Sequence, residues 1–311
     1  MFYDTGDIRE KKRAMVFGSF LGDSLALGVH WIYDTGEIIE TYGRVESLID
    51  PDPELYHPTR RKGEFTHYGD QTMILLESIA HRGDFVPEDF SLRWRELFDN
   101  YDGYIDQATR TTLRKYSQGK DWKEAGSSST DLAGASRLAP LIYRYSDDLQ
   151  TLIEASDIQT KMTHNHPLPL YAAEFFAKCT WEILHGSKPS TALRHTIDES
   201  FTDSPLHEMF ERALLTIGLN TTTAIEELGQ GCEVEQAFPS VIHLILKYEE
   251  NFFDALVECV MAGGDSAARA MLVGMVLGAY LGMDQIPRKW LSDLKARDKI
   301  EKYLDKLDDI T

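Results

Sequence analysis

Between Ala262 and Gly282 the chain reads AGGDSAARAMLVGMVLGAYLG, and this stretch restricts the possible folds more than any other. It opens with Gly263-Gly264-Asp265 and passes at once into an apolar run in which Gly274, Gly278 and Gly282 recur every fourth residue. Residues four apart share one helix face, so the glycines form a smooth stripe. Each glycine costs a helix about 1 kcal/mol relative to alanine, and close approach to a second helix is the gain that offsets it. A buried central helix follows, with Asp265 at its N-terminal end, where a carboxylate suits the helix dipole. The run from Ala267 to Leu281 is too short to cross a membrane, which takes about 20 apolar residues. Asp265 is open to two roles: an ordinary helix cap, or the floor of a pocket.

The partner for such a stripe lies near the start of the chain. Residues Glu10 to Trp31 read as a helix that is apolar nearly all round, with Gly18 and Gly22 again four apart. Asp23 falls inside this apolar run and needs a partner; bonding to backbone amides is its plainer role. His30 lies two turns further along the same face. Residues Asp34 to Gly69, rich in Pro, Gly, Tyr and charge, form a long irregular excursion with room for one short helix, and such loops are often functional. The excursion ends in Gly69-Asp70-Gln71-Thr72, before a helix over Met73 to Ala80. That layout echoes Gly264-Asp265. Two carboxylates delivered by two helix starts suit a divalent-cation or general-base site, although either one alone is usually a cap.

Three- and four-residue apolar steps predict further helices over Phe90 to Tyr101, Ile105 to Tyr116, Leu132 to Tyr145 and Leu170 to Leu184. Others follow over Pro189 to Glu199, Pro205 to Leu215, Ala237 to Tyr248, Asn251 to Met261 and Trp290 to Leu307. GSSSTD (126–131) and THNHP (163–167) are polar turns, and the His164/His166 pair beside Pro167 fits a turn or pocket wall better than a metal site. Strand-like alternations are few, and repeats and composition shifts are absent, so residues 1–311 read as one all-α domain with polar loops converging on helix starts. No P-loop, GxGxxG, GxSxG or HExxH motif occurs. A net charge of −19 argues against nucleic acid or an anionic membrane as partner, but not against a small phosphorylated ligand. Cys179, Cys232 and Cys259 give no disulfide or zinc spacing, and the charged N-terminal stretch lacks a signal peptide's apolar core, so a cytoplasmic location is expected.

An ordered set of these segments resembles the ADP-ribosylglycohydrolase family, which includes a lens crystallin. GSFLGDSLALG (18–28) is similar to the family's opening helix, G-x-x-x-G-D-x-x-G, and Gly69-Asp70-Gln71-Thr72 stands where the family has Thr-Asp-Asp-Thr. Ser136-Arg137-Leu138-Ala139-Pro140 resembles Met-Arg-Ile-x-Pro, Thr163-His164 resembles Thr-His, and Gly263 to Ala268 resembles Gly-Gly-Asp-Thr-Asp-Thr. The resemblance implies an orthogonal all-α bundle with its active site among loops at helix ends. It implies hydrolysis of the C1 bond of an ADP-ribosyl or related ribosyl conjugate, small or protein-linked, assisted by two magnesium or manganese ions. The alternative is a non-catalytic ligand-binding or structural member.

Position by position, Asp70, Thr72 and Asp265 are retained, whereas Gln71, Ala267, Ala268 and His30 replace two aspartates, a threonine and a glutamate. With half the carboxylate charge gone, the resemblance implies one weakly held Mg or Mn ion at most, between Asp70 and Asp265, or none. Asp70 and Asp265 are then the expected general base and electrostatic partner. Gln71 and Thr72 would bond ribose or water, and His164 and Arg137 would line the pocket, with His164 and Asp70 in one cleft. Asp23, His30, Ser266 and Arg269 complete the expected substrate site. Arg269, one turn beyond Asp265, either neutralises it or pairs with a surface acid.

Overall fold

A computed structural model describes residues 5–310, with side chains from Ile8 onward. The first helices are α1 (Thr5–Ala26), α2 (Thr35–Tyr42), α3 (His67–Arg82), α4 (Pro87–Phe98) and α5 (Gln107–Ser117). Next come α6 (Ala133–Ser136), α7 (Ala139–Arg144), α8 (Leu149–Lys161), α9 (Pro167–Leu184), α10 (Pro189–Ser200), α11 (Pro205–Leu215) and α12 (Thr221–Leu228). The chain closes with α13 (Val234–Lys247), α14 (Phe252–Met261), α15 (Ser266–Leu281), α16 (Arg288–Asp293) and α17 (Arg297–Asp308). Among the described residues there is no strand, only isolated bridges joining Ser127 to His164 and Asp131 to Glu233. The all-α expectation holds. None of the described helices is long and apolar enough to cross a membrane.

The centre of the bundle is the pair α1 and α15, packed backbone to backbone. A Cβ placed on Gly18 would fall 2.1 Å from the Gly274 carbonyl oxygen, and one on Gly22 would fall 2.2 Å from that of Ala270. Gly278 meets the Ala14 carbonyl in the same way, at 2.4 Å. These contacts explain why α15 tolerates glycines. Gly282 has another task, ending α15 with φ +77° and an N–H bonded back to Gly278. Every residue of α15 from Ser266 to Ala279 is buried, and one apolar core runs from Ala14 to Leu307 around it.

Some boundaries differ from the sequence reading. The segment Leu132 to Tyr145 is two short helices, because Pro140, which has no N–H to donate, sits in the first turn of α7 rather than inside a longer helix. Similarly, α16 and α17 divide the expected terminal helix. Helices α8 and α12 were not expected from the sequence. They bury narrow apolar faces, such as Leu152 and Ala155 in α8, amid many polar residues.

Candidate active site

Asp265 stands at the start of α15 yet caps nothing, since no helix N–H reaches its side chain. Two consecutive left-handed glycines, Gly263 (φ +68°) and Gly264 (φ +69°), turn the chain into this position. The loop is pinned from outside: Gly264 N–H donates to Ile32 (2.8 Å), Trp31 N–H to Gly264 (2.9 Å) and Asp265 N–H to Gln230 (2.9 Å). The carboxylate meets three side chains. His30 Nε2 lies 3.1 Å from Oδ1, while Trp31 Nε1 and the Tyr68 hydroxyl each donate to Oδ2 at 3.1 Å. Trp31 holds φ +68°, rare for a bulky residue, and its ring stacks on His30 at 4.1 Å.

Burial alone would raise the Asp265 carboxyl, but His30, Trp31 and Arg269 outweigh it and hold the group down to about 2. Asp131 is its neighbour and its opposite. Burial first, and the Asp265 charge second, push the Asp131 carboxyl well above the usual carboxylate range. The Cys232 thiol lies beside Asp131, and burial with the same carboxylates pushes that thiol up, so it stays protonated. Ligand atoms of Asp131, Cys232 and Asp265 all lie within 4.8 Å of one another. Asp131 is placed by capping Ala133 N–H (2.9 Å), and Leu132 N–H bonds the Cys232 carbonyl at 2.8 Å.

Several expected residues build the wall behind this pair. Arg137, fully buried, donates to Gln159 (2.8 Å), to Gln71 (2.9 Å) and to the Thr163 hydroxyl. Gln71 also accepts from Trp94 (2.7 Å), so its side chain is spent on the wall. His164 Nδ1 bonds Thr163 (2.9 Å); its Nε2 is buried without a partner, and burial pushes the ring down to about 3. His67 lies 3.0 Å from Asp106, whose carboxyl burial would raise but His67 and the Thr109 N–H hold below the usual range. Thr72 bonds the Tyr68 carbonyl within α3, and Ser266 Oγ is buried and unpaired.

Other expectations are corrected. Asp70 does not join Asp265: its Oδ2 accepts from Arg60 (3.0 Å) and the Tyr101 hydroxyl (2.6 Å). It lines a cleft of about 310 Å³ with Arg60, Glu64, Lys295 and Lys299, and His164 is not on that cleft. An α3 residue two beyond Tyr68 points to a different side of the helix, which is why the Gly-Asp echo misleads. Asp23 takes the structural role, accepting from Thr66 N–H (2.8 Å) and hydroxyl (2.5 Å) and from Gly69 N–H (3.3 Å). Arg269 is fully buried and meets no surface acid; it donates to the Gly263 and Gln230 carbonyls, stapling the loop that carries Asp265. The sequence reading missed Asp131, Cys232, Tyr68, Trp31 and His57. Asp131 ends the GSSSTD turn and His57 lies in the long excursion, so the loops were the available signal.

Residues 4–311 match the ADP-ribosylglycohydrolase family model. The chain belongs to that family. It is 26% identical to crystallin J1A of Tripedalia cystophora, covering 96% of each chain, and 26% identical to ADP-ribosylhydrolase ARH3 of Homo sapiens, covering 89% and 87%. It is 23% identical to the ADP-ribosyl-[dinitrogen reductase] glycohydrolase of Rhodospirillum rubrum, covering 96% of each. A solved structure titled ADP-ribosylglycohydrolase-related protein complex superposes with a TM-score of 0.79 at 24% identity, over 98% of this chain and 99% of that one.

Members of the ADP-ribosylglycohydrolase family generally use divalent metal, and the residues here fit a two-ion centre poorly. Such ions need several hard oxygen ligands to replace their water. Ala267 and Ala268 offer none, Gln71 faces Arg137 and Trp94, and Asp70 is engaged by Arg60 and Tyr101. The one described group that could hold a single ion is Asp131, Cys232 and Asp265, and it excludes Asp70. Two of its three members would first have to lose protons that burial retains.

Proposed function

We propose that this chain is a glycosidase-type hydrolase that cleaves the C1 bond of an ADP-ribosyl or related ribosyl conjugate at the Asp131–Asp265 pair, without a two-metal centre. One observation carries the reading: two buried carboxyls adjoin, with ligand atoms of Asp131 and Asp265 within 4.8 Å of each other. Only Asp265 is met by His30, Trp31 and Tyr68, surroundings that favour its ionised form, while burial favours the protonated form of Asp131. The C1 bond breaks with its electrons passing to the leaving atom, which takes the Asp131 proton. The Asp265 charge stabilises the oxocarbenium-like ribose, and water then adds at C1 and returns a proton to Asp131. Tyr33 and Tyr56, half exposed, with the partly buried Trp31 beside Tyr56, offer flat faces for a sugar or base near the pair. Three unpaired cysteines are consistent with a reducing, cytoplasmic setting.

Release of ADP-ribose from modified arginine, modified serine and free conjugates, with and without EDTA, tests this reading. We expect turnover that survives EDTA and falls at least roughly a hundredfold in Asp265→Asn and Asp131→Asn. A second reading, a member that binds ligand without turning it over, is favoured by the full-length similarity to crystallin J1A and by the replaced ligand positions. ADP-ribose binding without turnover on any conjugate would select it.

A further inference from the structure

His57, from the long excursion between α2 and α3, has no part in the reaction proposed above, yet it ends a buried chain of hydrogen bonds that starts at Asp265. His30 Nε2 lies 3.1 Å from Asp265 Oδ1, and His30 Nδ1 lies 2.9 Å from His57 Nε2. His57 Nδ1, at the far end, is buried with no partner. Asp265 already accepts from an indole, which can only donate, and from a phenol, so the oxygens act as acceptors. His30 Nε2 therefore carries hydrogen. A neutral imidazole has only one, which leaves a lone pair on His30 Nδ1. That lone pair requires hydrogen on His57 Nε2, and the lone pair of His57 falls on Nδ1. Both rings are buried at 2% exposure, which favours the neutral form.

We propose that His57 Nδ1 is a preset hydrogen-bond acceptor for a hydroxyl of the bound ribosyl group, with His30 and Asp265 as the positioning residues that fix its tautomer. This rests on the ribosyl substrate class proposed above. The place suits a sugar hydroxyl. His57 lies edge to edge with His30 (ring centroids 5.2 Å apart, nearly coplanar) and beside Trp31 (5.6 Å), and the edge of Tyr104 closes one side at 6.3 Å. Tyr56, 46% exposed, stands edge-on to Trp31 and Tyr104, so the aromatic cluster around His57 reaches solvent at Tyr56. A native protein rarely leaves such a buried acceptor unpaired without a use for it.

Nitrogen-15 NMR of the histidine rings in the unmodified protein tests the chain directly. We expect hydrogen on Nε2 of both His30 and His57 from pH 5 to 8, and a shift of the His57 Nδ1 resonance on saturation with ADP-ribose. Hydrogen on His57 Nδ1, or a resonance that ADP-ribose leaves in place, would overturn the proposal. By calorimetry, His57→Phe should bind ADP-ribose roughly tenfold more weakly, the loss of one hydrogen bond, and His57→Gln should recover part of it. His30→Phe should weaken binding comparably while making no ligand contact of its own. Unchanged affinity in a folded His57→Phe protein would also overturn the proposal. Failure of the unmodified protein to bind ADP-ribose would instead refute the substrate class, and the ring tautomers would then decide the hydrogen-bond chain alone.

Discussion

Asp70 and Asp265 follow the same local rule, glycine then aspartate at the start of an apolar helix, and the fold uses them in opposite ways. Asp265 is 1% exposed, meets three side-chain donors and belongs to a buried acid pair. Asp70 is half-buried on an open cleft, held by one arginine and one tyrosine. The difference comes from what precedes each helix. Gly263 and Gly264 take left-handed turns that swing Asp265 off the helix end, whereas Asp70 is already inside α3, whose cap is Thr66. Local sequence sets the helix start; long-range hydrogen bonds decide which carboxylate is buried in the acid pair.

The largest expected effect separates the two directly. Asp265→Ala strands the His30, Trp31 and Tyr68 donors in a buried place, and we expect it to lower the unfolding free energy by about 3–5 kcal/mol in urea titrations. A loss of under about 1 kcal/mol would mean that those donors find other partners and that the buried network is loosely held. Next comes the frame that delivers Asp265. Gly274→Ala puts a Cβ 2.1 Å from the Gly18 carbonyl, where only backbone movement gives relief, and should cost about 2–4 kcal/mol. Gly218→Ala, with open space around it, is the control and should change stability by less than about 1 kcal/mol. Equal melting temperatures for the two variants would show that α1 and α15 separate without penalty.

Much of this frame was legible in the sequence, and the reason is physical. A four-residue glycine spacing in an apolar helix has few explanations, and both stripes, Gly18/Gly22 and Gly274/Gly278, lie at the expected contact. Asp265 was legible as special because two glycines precede it. Its true partner was not. Asp131 lies 134 positions upstream in a serine-rich turn, and nothing local distinguishes it from a solvated cap until the Asp131–Glu233 bridge folds that turn against α13. His57 and Trp31 were hidden for the same reason, since their roles exist only through contacts across the long excursion. Arg269 was legible as a charge that acts on Asp265, but its hydrogen bonds to the Gly263 and Gln230 carbonyls were not, because helical spacing says nothing about carbonyls of a loop bent back over the helix end.

Acid titration gives a smaller and more specific contrast. Asp265 is depressed in the folded state, so its contribution to stability is present above the ordinary carboxylate pKa of about 4 and is lost as pH falls towards 2. Asp23, raised by burial to about 7, has the reverse sign: its contribution is full below about pH 4 and lost as pH rises through 7. Unfolding free energy should therefore fall by about 1–3 kcal/mol between pH 5 and 8, and Asp23→Asn should flatten that slope. A wild-type profile that is flat over this range would show that Asp23 is ionised throughout, with its Thr66 and Gly69 bonds outweighing burial.

The smallest expected effect concerns Asp70. Its pair with Arg60 is partly screened by solvent, with side-chain exposures of 23% and 15%. Pairs in such positions contribute about 0.2–1 kcal/mol. A double-mutant cycle of Asp70→Ala and Arg60→Ala should therefore give a coupling energy within that range, and added salt should reduce it. The corresponding cycle of Asp265→Ala and His30→Ala should give a coupling at least twice as large and little altered by salt, because neither side chain is more than 1% exposed. Equal coupling in the two cycles would erase the distinction between the carboxylates. Turnover measured on Asp70→Asn completes the comparison: a hundredfold fall there, with Asp131→Asn still active, would move the proposed catalytic centre from the buried pair to the open cleft.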